Sequence, residues 1–175
     1  MKKALEAANA AELGDQQVAS LRALRADDTE RLEAFLKGLN YSSKYLRFGR
    51  GDFVPDRELL EKACQIDPRK TIHLVMTSGS DKHEEIVGSI RLKIDREQAN
   101  GEFNLVVANA WFNSGIDGML LDGLLDAARE MQLREVYTRV LWGHAGLLDF
   151  LAKRDFRIAN APEGDWLKIC TFALA

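Results

Sequence analysis

A chain of 175 residues, 46% apolar and 29% charged, suits one globular domain with a sizeable core. Its net charge of −3 offers no basic field to nucleic acid or an anionic membrane, and no apolar run approaches a membrane span. Cys64 and Cys170 follow no metal or redox spacing, which reads as two reduced core thiols; with no secretory signal, this points to the cytoplasm.

Residues 1–14, rich in Ala, Leu, Lys and Glu and ending at Gly14, predict a leader helix ahead of one domain over residues 15–175. Val18 to Leu24 reads as a first strand. Asp27 or Asp28 then caps a helix to Leu39, with Leu32, Phe35, Leu36 and Leu39 on its buried stripe. Tyr41 to Phe48 and Pro55 to Ile66 read as two short helices around the turn Gly49-Arg50-Gly51-Asp52. From Thr71 the period becomes two, with Ile72, Leu74 and Met76 on one face. After a polar turn, Ile86, Gly88, Ile90, Leu92 and Ile94 share a face of the next strand. Asn100-Gly101 is a hairpin signal before a strand over Glu102 to Val107.

The connection bearing Gly115 and Gly118 opens an amphipathic helix with Ile116, Leu120, Leu124, Ala127 and Met131 inward. A strand feeding a glycine-bearing turn into a helix is a common way to present backbone N–H groups to a phosphate. Val136 to Leu141 is a further strand, Ala145 to Lys153 a helix, Phe156 to Ile158 a short strand, and Trp166 to Leu174 the last one. This order predicts an α+β domain: a mixed sheet of about seven strands, helices on both faces, and a parallel step near the middle.

The order and its motifs resemble the GNAT superfamily of N-acetyltransferases over Val18 to Leu174. Ser43-Lys44-Tyr45-Leu46-Arg47-Phe48 is similar to a segment of the branch containing bacterial protein-lysine acetyltransferases. Ile86-Val87-Gly88 matches the family's third strand, and Glu102-Phe103 with Trp111 and Gly115 matches its fourth strand and cofactor loop. The signature Q/R-x-x-G-x-G/A falls on Phe112-Asn113-Ser114-Gly115-Ile116-Asp117, where only the central glycine is kept. His144 stands where the family commonly has Asn, and Asp155-Phe156 where it has Gly-Phe.

The resemblance implies acetyl-CoA as cosubstrate and, as acceptor, a primary amine of a small molecule or a protein lysine. It implies Glu102 as general base; the residues alone read Glu102 as a solvent-facing strand start. It implies that the main chain of Val106 and Val107 binds the thioester arm. Asn113, Ser114, Gly115, Ile116, Asp117 and Gly118 would then grip the diphosphate. The family's usual proton donor falls on Leu151, leaving His144, Tyr137 or Tyr45 as substitutes. Tyr45 and Arg47 would line the acceptor groove. Asp117 opposes an anion: at about 4 Å the repulsion is roughly 4 kcal/mol at an effective dielectric near 20, and about 1 kcal/mol or less in water. The alternative is therefore an inactive GNAT-like binding or regulatory module. His73 and His83 lack partners at ligand spacing, so no metal is expected. Trp111, Trp142 and Trp166 read as core or rim packing, and the remaining charges as solvated surface. A homodimer is compatible with the fold.

Overall fold

The computed structural model describes residues 11–13, 17–80, 83–112 and 114–174, without the side chains of residues 11–13, 17, 18, 46 and 47. Eight strands form one sheet: β1 (Ala11–Leu13), β2 (Gln17–Ala23), β3 (Thr71–Ser78), β4 (Glu85–Asp95), β5 (Asn100–Val107), β6 (Glu135–Leu141), β7 (Arg157–Ala161) and β8 (Gly164–Ala173). Their spatial order is β1-β2-β3-β4-β5-β6-β8-β7, antiparallel throughout except for the parallel step from β5 to β6. The helices are α1 (Thr29–Gly38), α2 (Tyr41–Phe48), α3 (Arg57–Cys64), α4 (Ile116–Glu130) and α5 (Ala145–Ala152).

Each sheet face buries its own apolar cluster. Leu120, Leu121 and Leu124 of α4 and Leu151 of α5 pack on Ile90, Leu92, Phe103 and Val136. Leu32, Phe35 and Leu36 of α1 and Leu60 of α3 pack with Val75 and Ile86 on the other face. A central strand covered on both sides reads as a continuous apolar run rather than an alternation, and β3 is buried from Ile72 through Thr77.

Four local expectations are corrected. Of the predicted leader helix, Ala11–Leu13 instead pairs with β2 as a strand, and residues 1–10 and 14 lie outside the described ones. Asp28 holds the N-cap position of α1, but its side chain makes no capping bond; wholly buried, its carboxylate accepts from Arg22 at 2.6 and 2.9 Å and from the Arg25 amide at 2.8 Å instead. Burial on its own would raise the Asp28 carboxyl, but the hydrogen bonds from Arg22 and the Arg25 amide, with the charges of Arg22 and Arg31, together hold it below its ordinary range. The β4–β5 turn lies at residues 96–99, with Asp95 Oδ1 accepting the Glu97 and Gln98 amides; Asn100-Gly101 opens β5 instead. Finally, Ile86 does not share a face with Ile90 and Leu92.

That last difference has a defined cause. Met76 pairs with Gly88 but Thr77 with Ile86, so Val87 is the extra residue of a β-bulge. The bulge sends Val87 to the α4 side and Ile86 to the α1 side. Beyond it, β5 and β6 pair only over Asn100↔Glu135, Gly101↔Val136 and Glu102↔Tyr137, then part. The gap between them opens into a cavity.

Candidate active site

Where β5 leaves β6, its outer backbone edge loses its strand partner. Ala108 donates to Val87 on β4 at 2.8 Å, and strand residues alternate the side to which their backbone groups point. The amides of Leu105 and Val107 therefore face the gap, while that of Val106 faces β4. A cavity of about 690 Å³ fills the opening. Glu102 to Val107 line one wall and Thr138 to Leu141 another, excepting Phe103; α2, the start of α4, α5 and Trp166 close it.

Glu102 lies at the last paired position of β5, where the gap begins. Its side chain is 37% exposed, and Oε1 stands 3.7 Å from Arg139 Nε. Arg139 in turn donates to Glu163 Oε1 at 2.8 Å from the β7–β8 turn. The carboxylate thus faces the cavity, with a cation beside it that a second carboxylate partly balances. Sequence spacing hid Arg139: only the parallel pairing of β5 with β6 brings it to Glu102.

The loop into α4 is set by Gly115, whose φ of +88° is the left-handed conformation that glycine adopts without strain. Ser114 Oγ donates to the Trp111 carbonyl at 2.6 Å, which fixes the loop but commits that hydroxyl. Ile116 is fully buried in the core. Asp117 is half-buried, lines the cavity, and its Oδ1 accepts from the Gly118 amide at 2.9 Å. One donor of the helix start is therefore taken by the helix's own acid, a favourable arrangement at the positive end of a helix dipole. Asn113 lies outside the described residues.

His144 lines the cavity and begins α5, its Nδ1 accepting from the Leu147 amide at 3.2 Å. An accepting Nδ1 leaves the proton of the neutral ring on Nε2. Burial holds the imidazole below its ordinary value near 6.5, which favours the neutral ring at pH 7. The Tyr137 phenol is raised, chiefly by burial and then by the charge of Glu102, but it does not line the cavity. Leu151 is wholly buried core. Tyr45 reaches the cavity from α2; the side chain of Arg47 lies outside the described residues.

Of the three tryptophans expected as core or rim packing, Trp142 is 66% exposed, while Trp166, 53% exposed, lines the cavity with Trp111; Phe112, 54% exposed, lines it too. Arg154, expected as solvated surface, keeps one-third of its side chain exposed and lies against Gly118 in the first turn of α4. Among the described residues, no group of three or more His, Cys, Asp or Glu is placed to hold a metal ion, and no helix is long and apolar enough to cross a membrane.

Comparison with known proteins identifies the architecture. No family model matches the chain. An acetyltransferase of Pseudomonas aeruginosa, PA5475, is 27% identical over 149 residues, covering 82% of this chain and 80% of that protein. The GNAT domain of the S. lividans protein PAT superposes with a TM-score of 0.83 at 19% identity, over 95% of this chain and 97% of that one. Spermidine N-acetyltransferase from Vibrio cholerae, solved with CoA and spermine, superposes with a TM-score of 0.71 at 16% identity, over 89% and 95% of the two chains.

Proposed function

We propose that this chain, which has the fold of the GNAT superfamily of acetyltransferases, transfers an acetyl group from acetyl-CoA to a primary amine, of a small molecule or a protein lysine, by direct attack in a ternary complex. The observation that carries this reading is the parting of β5 from β6 after Glu102. It frees a strand edge beside a cavity, and an extended amide-bearing arm can pair with such an edge as an added strand. The turn at Gly115 has open space around it and leads into the helix start whose Asp117 lines the same cavity, a place where backbone N–H groups can meet an anion. Bound acetyl-CoA would supply the activated thioester.

The chain's own residues then have defined tasks. A lysine-like amine is mostly protonated at neutral pH and attacks only as the free base. Glu102, directly or through a water, accepts its proton. The amine lone pair forms the new C–N bond at the thioester carbonyl carbon. A backbone N–H of Leu105 or Val107 donates to the developing oxyanion, and the C–S bond then breaks. His144, neutral with its proton on Nε2, lines the cavity and can donate a hydrogen bond to the departing thiolate, which then leaves as the anion or takes a proton from water. Tyr45 and Trp166 flank the acceptor's approach.

A second reading, a module of this fold that has lost acetyl-CoA binding, is favoured by one observation: the Asp117 carboxylate already occupies the Gly118 amide. Thermal unfolding with and without millimolar acetyl-CoA separates the two. A binder gains stability with ligand concentration; an unchanged midpoint supports the second reading. Thiol release over a panel of amines then tests turnover.

A further inference from the structure

We propose that Arg154 is the cation that holds the phosphate end of the acyl donor at the start of α4, and that Asp122 competes with the ligand for it. The inference rests on the acyl-CoA reading above. Arg154 follows α5 in sequence, 36 residues beyond Gly118, yet a Cβ added at Gly118 would overlap its guanidinium. The missing side chain at 118 is what lets the cation lie on the first turn of α4, one residue from Asp117. The guanidinium carbon stands 5.0 Å from the ring centroid of Phe150, a residue of the cavity wall. Nη1 donates to Asp122 Oδ1 at 2.5 Å, one helical turn further along α4.

Three features of this arrangement fit a phosphate. The guanidinium places a positive charge in the same turn as Asp117, offsetting the repulsion that this carboxylate would otherwise exert on a diphosphate. A guanidinium carries five N–H donors in a planar fork matched to phosphate oxygens, more than one Asp122 oxygen engages. The side chain is one-third exposed and its tether to Asp122 is a surface ion pair, so exchanging that partner for a phosphate costs little. Asp122 itself points to solvent with a side chain 63% exposed, and it has no part in the chemistry proposed above.

The test is the calorimetric affinity for CoA of the wild type, Arg154→Gln and Asp122→Asn, with folding checked by thermal unfolding without ligand. Arg154→Gln weakens CoA binding about ten- to hundredfold, as expected for losing a charge-assisted hydrogen bond. Asp122→Asn, which leaves the guanidinium in place, tightens it severalfold. A folded Arg154→Gln variant binding within twofold of wild type overturns the inference. Should that variant fail to fold, an unchanged or weakened affinity in Asp122→Asn overturns it instead. CoA failing to bind the wild type at all overturns the acyl-CoA reading itself, and this inference with it.

Discussion

Replacing Asp117 with Asn separates two roles of one side chain, because they move in opposite directions. The amide oxygen of Asn can still accept the Gly118 N–H that Asp117 Oδ1 takes at 2.9 Å, so the turn keeps its geometry and loses only the charge. Repulsion between unit charges about 4 Å apart ranges from roughly 1 kcal/mol in water to 4 kcal/mol near a protein surface. For a half-buried group at a solvent-open cavity, about 1–2 kcal/mol applies, so CoA binds roughly five- to thirtyfold more tightly. The same change removes an acid from the positive end of a 15-residue helix, worth about 0.3–1 kcal/mol. For a chain of this size that lowers the unfolding midpoint by about 1–4 °C. Calorimetric titration with CoA reads the first effect and thermal unfolding of the free protein the second. Raising the salt concentration should shrink the affinity gain. A variant less stable but with unchanged CoA affinity would refute the reasoning, since the diphosphate would then lie away from this turn.

Further expectations follow from the same geometry. Glu102→Gln should lower the turnover rate by about 10²–10⁴-fold with CoA affinity intact, measured by thiol release; near-normal turnover removes Glu102 as the base. The depressed His144 pKa makes the unfolded chain bind its proton first, so stability present above about pH 6.5 is lost as the pH falls through the folded value. Thermal unfolding across pH 4–8 should show that loss, and His144→Asn, which can still cap α5, should reduce it. At Gly88 a Cβ would lie 2.9 Å from both Ile116 Cγ2 and Leu120 Cδ1, so Gly88→Ala should destabilise by about 1–3 kcal/mol in denaturant unfolding. An unchanged midpoint there would mean that α4 is not seated against β4 as described.

Periodicity and turn chemistry make most of the fold legible in the chain. Helix α2 occupies Tyr41–Phe48 as its pattern predicts, and α4 buries Ile116, Leu120, Leu124 and Ala127 at the expected spacing. What escaped is where tertiary contacts override local pattern. Ile86 obeys the two-residue period of β4 until the bulge at Val87 reverses its face. Asn100-Gly101 has turn composition, but Asp95 builds the turn four residues earlier, and Gly101 is needed because a Cβ there would lie 2.7 Å from Leu92 Cδ1. At the candidate site, Glu102 is singled out only by the family resemblance, whereas the loop around Gly115 could be picked out because a strand, a glycine and a helix start are local signals. Arg139 and Arg154 could not, since strand pairing and helix packing bring them there from 37 and 36 residues away from Glu102 and Gly118. The backbone donors shift too: alternation turns the Val106 amide to β4 and leaves Leu105 and Val107 facing the gap.

The opened edge of β5 is tested most directly by the amide resonances of the protein titrated with CoA. Binding along that edge predicts the largest shifts at Leu105, Val107 and the first turn of α4, with the paired amides of Val106 and Asn104 moving less. Saturating CoA that leaves Leu105 and Val107 unmoved, or shifts only residues distant from the cavity, would contradict the account.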